Sequence, residues 1–272
     1  MTAVDATVRA AQTARTMLFV PGSRPDRFAK ASAAGADLVV LDLEDAVAES
    51  DKVAARAACV DWLRAGNAAA VRVNAPTTGQ WTDDVAALAD LGAVVMMPKA
   101  SDPGVVAGLA ARTPVIALVE TAAGVAEARA IAAVPGVVRI ALGHLDLCVE
   151  LGVDPDDREA LLVVRSSLVL AAAAAGSAPP VDGVTTSLRD VERLRSDVDH
   201  ARRLGFAGKL CIHPAQVDTV HAAWAPSAEQ VAWAREVLAS VDDSAGAAAV
   251  GGAMVDPPVL ARARHILAAA DG

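Results

Sequence analysis

The chain has 272 residues, a length that an α/β barrel fills as one domain, and 54% of them are apolar although aromatics make up only 3% and Tyr is absent. Its 33 acidic against 24 basic residues give a net charge of −9, which repels a phosphate backbone and argues against general nucleic-acid binding, while leaving room for a local basic pocket. Cys59, Cys148 and Cys211 are widely spaced with no Cys-x-x-Cys pair, which speaks against a disulfide framework or a thiolate zinc site.

Asp5, Arg9 and Arg15 interrupt the N-terminal apolar residues, so no secretory signal is expected there and a cytoplasmic location follows. The apolar run 168–175 is too short to cross a bilayer and reads as a buried helix, so no membrane partner is expected.

In chain order, short β-branched runs predict strands over 16–20, 37–43, 70–73, 93–97, 115–119, 138–142, 181–184 and 209–212, the seventh being the weakest signal. Segments 51–64, 85–89, 122–132, 159–175 and 188–203 carry helical residue types at crossover length. Eight such units favour closure into a (β/α)8 barrel over an open doubly wound sheet. Two more helices are predicted over 229–240 and 259–270, separated by a Gly/Ala-rich stretch, 244–253, that is expected to be flexible. The predicted organisation is a barrel over 1–243 with a C-terminal lid segment, 244–272, in the same domain.

Polar and turn-forming residues accumulate just after the predicted strands: Arg24, Asp42, Glu44 and Asp45, Arg72 and Asn74, Pro98 and Lys99, Glu120, His144 to Asp146, and His213. In a parallel barrel these positions share the face where barrel enzymes place catalysis. Glu120 and Asp146, after the fifth and sixth strands, form a pair of hard oxygen ligands suited to magnesium; each could instead cap the helix that begins nearby. The acidic turn Asp42, Glu44, Asp45 needs a cation or a bound proton to relieve its repulsion, with Arg24 and Arg72 as neighbours, or it is a surface turn capping the helix at Asp51. Arg72 is suited to gripping a substrate carboxylate with its planar fork, or to a structural ion pair. His213 reads as a hydrogen-bond anchor rather than a proton carrier, and His200, His221 and His265 as solvent-facing helical residues. Lys99 has no desolvating pocket legible in the sequence, which disfavours a Schiff-base role.

The ordered motifs Leu18-Phe19-Val20-Pro21-Gly22-Ser23-Arg24-Pro25, Asp42-Leu43-Glu44-Asp45-Ala46-Val47, Arg72-Val73-Asn74, Pro98-Lys99, Glu120-Thr121-Ala122, Gly205-Phe206-Ala207-Gly208-Lys209, Ile212-His213-Pro214-Ala215-Gln216 and Met254-Val255-Asp256 span nearly the whole chain. On these the chain resembles the citrate lyase beta-subunit-like branch of the HpcH/HpaI aldolase family. The resemblance implies a TIM barrel whose C-terminal helices form a lid, with Mg2+ held at Glu120 and Asp146 and substrate bound by Arg72, Glu120, Arg24 and Pro98. It implies a catalytic set of Arg72, Glu44 and Asp256, the last reaching a neighbouring subunit's site as acid/base in a homo-oligomer, a trimer or hexamer; a simple helix N-cap is the alternative for Asp256. Arg24 and Lys30 become candidates for coenzyme A phosphates.

The implied activity is magnesium-dependent cleavage or formation of a carbon–carbon bond in a hydroxyacyl-CoA thioester. Alternatives are a divalent-metal aldolase acting on a free hydroxy-oxo acid, and a non-catalytic subunit of an acyl-carrier-dependent lyase complex. One departure stands out. Many relatives read Gly-Ala-Glu-Asp-Leu where this chain has Gly143-His144-Leu145-Asp146-Leu147. Loss of a carboxylate beside the implied metal site puts citryl or malyl specificity in doubt.

Overall fold

The computed structural model describes residues 3–242, 249–250 and 253–271. Eight parallel strands close into a barrel: β1 (Thr16–Pro21), β2 (Leu38–Asp42), β3 (Ala70–Arg72), β4 (Val95–Met97), β5 (Val115–Val119), β6 (Val137–Leu142), β7 (Val181–Asp182) and β8 (Gly208–Cys211). All eight predicted strands are present, within a few residues of their expected bounds. The seventh has two residues and meets β6 through the single pair Ala141 and Val181.

The helices in order are α1 (Ala3–Thr13), α2 (Phe28–Ser32), α3 (Lys52–Arg64), α4 (Trp81–Ala89), α5 (Pro103–Ala110), α6 (Ala122–Ala126), α7 (Ala128–Ala132), α8 (His144–Leu151), α9 (Leu162–Ala175), α10 (Val191–Leu204), α11 (Val217–Trp224), α12 (Ala228–Asp242) and α13 (Pro257–Asp271). The stretch 122–132, predicted as one helix, is two, because Glu127 leaves helical geometry at φ −94°, ψ 4°. Helix α4 starts four residues earlier than expected, and α1, α2, α5, α8 and α11 add to the predicted set. None of the described helices is long and apolar enough to cross a membrane.

The barrel interior explains where the chemistry sits. Successive inward positions on a strand recur every second residue. Leu38 and Val40 belong to the interior cluster, and Asp42 is two residues further on; Ala70 is followed by Arg72, and Ile116 and Leu118 by Glu120. The same inward rows are thus apolar at depth and charged at the strands' C-terminal ends. Each large apolar side chain buried in those layers contributes about 1.5–3 kcal/mol. Helix α1 joins this cluster through Ala11, and Ala14 just beyond its end joins it too. Buried Arg139 of β6 ties it there, donating to the carbonyls of Ala14 (2.7 Å) and Ala11 (3.3 Å) and to that of Pro179 (2.7 Å).

The chain divides into two compact units, Met1–His221 and Ala222–Gly272. In the second, α12 packs on α13 through Ala234, Val237, Ala263 and Ile266, with the Arg262 guanidinium 4.8 Å from the Trp233 ring centre. Strands β9 (Ala249–Val250) and β10 (Ala253–Met254) pair antiparallel. Most of the stretch 244–253, expected to be flexible, lies outside the described residues.

Candidate active site

A cavity of about 370 Å³ opens at the C-terminal ends of the strands, its charged lining formed by Asp42, Asp45, Arg72, Glu120 and Asp146 and its apolar walls by Phe19, Leu118, Leu142 and Leu210 among others. Residues as far apart in sequence as Phe19 and Ile212 meet here because the barrel closes.

Arg72 is the centre of the acidic side. Its Nε and Nη2 donate to the two oxygens of Asp42, each at 2.7 Å, in a two-pronged ion pair. Nη1 lies 3.1 Å from Glu44 Oε2 and 3.3 Å from Asp45 Oδ2, and the guanidinium sits 4.9 Å from the Phe19 ring centre. The structural ion pair and the cavity position therefore coexist in one residue. Asp42 also accepts the backbone N–H groups of Glu44 (2.9 Å) and Ala46 (3.2 Å), which folds the acidic turn over it. Beneath the turn, buried Lys52 donates to the carbonyls of Leu43 and Glu44 at 2.8 and 2.7 Å. Glu44 is itself buried, and Arg72 Nη1 is within ion-pair distance of its Oε2 without aligning for a hydrogen bond. Burial pushes the Glu44 carboxyl up to about 8 against the attraction of Arg72, with Asp45 and Glu120 adding to the rise.

Across the cavity, Glu120 and Asp146 face one cation, Lys99. Lys99 Nζ bonds Asp146 Oδ2 and lies 3.9 Å from Glu120 Oε1. The Lys99 backbone has φ +51°, the sole positive value among the described non-glycine residues, and its N–H donates to Glu120 Oε1 at 2.8 Å. Such a backbone conformation costs about 1–3 kcal/mol and persists because the surrounding contacts hold it. Burial pushes the Glu120 carboxyl up to about 7 despite that N–H and the nearby cations. Gly143 makes room for it: a Cβ there would stand 2.6 Å from Glu120 Cβ and collide with the carboxylate.

Helix capping does not account for either carboxylate. Thr121 caps α6, accepting the Gly124 N–H at 3.0 Å, while Asp146 lies inside the first turn of α8, whose preceding Gly143 has no side chain to cap it. Neither acid is spent on a helix cap, and both line the cavity. Glu120 and Asp146 are a two-oxygen-donor set of the kind magnesium takes when water and substrate fill its other positions. Among the described residues no cluster of three or more ligand-type side chains is disposed for a metal. Lys99 standing between the two acids shows that this side of the cavity accommodates a cation. The residues present fit the ion.

Other expected positions lie elsewhere. Arg24 is exposed and paired to Asp26 at 2.7 Å, Lys30 is exposed, and Pro98 is buried without lining the cavity. Asn74 is buried against Asp84, which takes its backbone N–H and its side-chain amide. His213 caps the short turn at Pro214–Gln216, accepting the Ala215 N–H at 3.1 Å, as an anchor would. Asp256 accepts the Val259 N–H at 3.0 Å at the start of α13.

Two histidines expected in solvent are not there. His221 is 3.0 Å from Asp37 and 3.1 Å from Thr16, and His200 is half-buried with Nε2 enclosed and without a hydrogen-bond partner. Sequence reasoning also did not assign the cation between the two acids to Lys99; the Pro98-Lys99 pair after a strand was the available signal. His144 is buried, its imidazole kept neutral because burial pushes its pKa down to about 4.

The family model for the HpcH/HpaI aldolase/citrate lyase matches residues 15–214. A citrate lyase subunit beta-like protein of Mycobacterium tuberculosis is 44% identical over 257 residues, covering 92% of this chain and 93% of that protein. A (3S)-malyl-CoA thioesterase of Cereibacter sphaeroides is 36% identical over 273 residues, covering 94% of each. The solved structure of CitE from M. tuberculosis in complex with magnesium, acetoacetate and coenzyme A superposes with a TM-score of 0.86 at 42% identity, covering 96% of this chain and all of that one. A citrate lyase beta subunit from the same organism, complexed with oxaloacetate and magnesium, gives 0.71 at 41% identity, covering 80% of this chain and 100% of that one. With its barrel, its acidic C-terminal face and a match over most of its length, the chain belongs to the HpcH/HpaI aldolase/citrate lyase family.

Proposed function

We propose that the chain is a magnesium-dependent carbon–carbon lyase that cleaves, or in reverse forms, a hydroxyacyl-CoA thioester. The observation that carries this reading is the convergence of Glu120 and Asp146 with the anchored Arg72 in one cavity at the catalytic end of the barrel. Relatives whose solved complexes contain magnesium with an oxo acid, and in one case coenzyme A, support it.

Glu120 and Asp146 would hold the ion, which when bound supplies Lewis-acid stabilisation of oxygen charge. Arg72, oriented by Asp42, binds the carboxylate end of the acyl group through the charge it presents to the cavity. Cleavage removes the proton from the substrate hydroxyl; the carbon–carbon bond breaks, its electron pair passes to the thioester as an enolate, and the hydroxyl carbon becomes the carbonyl of an oxo acid. A proton then returns to the enolate carbon. Glu44, whose burial lets it hold a proton near neutral pH, and Asp256, supplied by a neighbouring copy in a homotrimer or hexamer, are the proposed proton carriers. The apolar walls at Phe19, Leu118 and Leu210 restrict water around the enolate. The segment 244–272 is proposed to act as a lid.

The test is mass spectrometry of products from malyl-, citramalyl-, citryl- and 3-hydroxy-3-methylglutaryl-CoA and the matching free acids, with magnesium and with chelator, and with Glu120→Ala as control. Metal-dependent release of an oxo acid and an acyl-CoA, lost in the variant, is expected. Turnover of free acids only would replace this reading with an aldolase, and release of free coenzyme A with the acyl skeleton intact would replace it with a thioesterase.

A further inference from the structure

Charge in the metal-facing cavity is confined to one arc of the barrel. The charged lining comes from the ends of β2, β3, β5 and β6, through Asp42 and Asp45, Arg72, Glu120 and Asp146. From β7 through β8 to β1 the described lining is apolar throughout: Val184, Leu210, Ile212, Phe19 and Pro21. Leu145, beside Asp146 in sequence, adds to the apolar surface.

Side-chain alternation at β8 builds this wall. Leu210 belongs to the barrel's interior cluster, and Ile212, two residues on, lines the cavity. Lys209 points to the other side of the strand, where it donates to Asp182 at 2.9 Å and to the Gly183 carbonyl. The cation of β8 is thus turned away from the metal-facing cavity. Arg72 and Lys99, which pair with the cavity's acids, come from the ends of β3 and β4. In a closed ring of eight strands those two stand across from β7 and β8. Leu210 is 3% exposed, whereas Leu145 and Ile212 are 37% and 39% exposed, so the apolar surface runs from the buried interior to the mouth.

We propose that this wall selects the side group of the oxo acid, and that the group is alkyl rather than a second carboxylate. Leu145 and Ile212 are its specificity-determining residues at the mouth. The inference deepens the lyase reading and rests on it. With one carboxylate at Arg72 and oxygen at Glu120 and Asp146, the thioester chain leaves through the mouth and the remaining substituent of the hydroxyl-bearing carbon faces β7 and β8. A carboxylate there would lose its water with no cation to meet it, which is costly. An alkyl group in the same place gains from burial.

The experiment is calorimetric titration of the full-length protein, in magnesium, with pyruvate, 2-oxobutyrate and freshly prepared oxaloacetate. Wild type is expected to bind 2-oxobutyrate about fourfold tighter than pyruvate, the gain from one buried methylene. Oxaloacetate should bind about tenfold more weakly than 2-oxobutyrate, the effect of a desolvated and unpaired charge. Leu145→Gln and Ile212→Thr alter side chains that are more than a third exposed, and the Ile212 backbone N–H keeps its bond to Gln216 Oε1 at 2.9 Å. In each variant the preference for 2-oxobutyrate over pyruvate should fall below about twofold, and Leu145→Met should preserve it. These acids carry no thioester chain, so a ratio that depends on Leu145 and Ile212 reports contact with the acid's own side group.

Oxaloacetate bound as tightly as 2-oxobutyrate by wild type would overturn the alkyl assignment and leave the lyase reading standing. A wild-type preference for 2-oxobutyrate that both variants keep would overturn the assignment to this wall. Binding of none of the three acids, by protein that takes up magnesium in a separate titration, would count against the lyase reading and remove this inference with it.

Discussion

Replacing Arg72 by Ala separates its structural work from the catalytic role proposed for it. In the native state the Asp42 side chain is 2% exposed and receives two 2.7 Å bonds from the guanidinium, itself 13% exposed. Removing the cation leaves Asp42 with only the Glu44 and Ala46 backbone N–H groups. Breaking a buried pair from one side costs about 3–5 kcal/mol. Glu44 adds little to that loss, because its carboxyl is already pushed to about 8 by burial and can take up a proton when its counterion goes. With a urea dependence of about 2–3 kcal/mol per molar, the unfolding midpoint should fall by about 1–2 M. Circular dichroism during urea titration measures it. The double variant Arg72→Met with Asp42→Asn, which leaves no unpaired charge at either position, should recover most of the midpoint while remaining inactive. Unfolding of Arg72→Ala within about 0.5 kcal/mol of wild type would refute the claim that the pair holds the acidic turn, and would leave Arg72 with a purely substrate-binding role.

Gly143→Ala drives a methyl group into Glu120; a stability loss of about 1–3 kcal/mol is expected, together with weaker magnesium binding by titration. Gly108→Ala, where a Cβ meets nothing within 4 Å, is the control and should be neutral or slightly stabilising. A third expectation concerns acid. Burial raises the Asp182 pKa, but Lys209 and Arg165 outweigh it and hold the carboxyl down at about 2, below its usual 3.8. A depressed carboxylate stabilises the fold above the unfolded value and loses that contribution as pH falls toward the folded one. Stability should therefore drop by roughly 2 kcal/mol between about pH 4 and pH 2 on this account, and Asp182→Asn, though less stable at neutral pH, should show a shallower drop in acid-unfolding curves; equal slopes in the two proteins would sink the assignment.

The strand signals were legible because parallel barrel strands are short, nearly continuous apolar runs; Val115–Val119 and Leu38–Asp42 are buried along their whole length. Helices were harder. Pro103–Ala110 has apolar residues on all sides, and Ala3–Thr13 reads as an unremarkable N-terminus until its contact with the barrel cluster is known. The site divides along the same line. Which residues gather at one end follows from strand order, so Arg72, Glu120 and Asp146 could be placed together from sequence. What each one touches depends on side-chain geometry that strand order leaves open.

Lys99 shows the difference most clearly. Sequence places a lysine after β4 and nothing more; its left-handed backbone is what aims the N–H at Glu120, and its side chain crosses to Asp146. The same reasoning applies to His144, whose substitution into the motif is visible in sequence while its consequence is not. Only once the barrel closes does the imidazole lie over Gly183 and become a wall of two chambers, one acidic and suited to a metal, the other lined by four carboxylates and four cations. A change at residue 144 would therefore reshape the wall of the metal-facing cavity while leaving Glu120 and Asp146 in place.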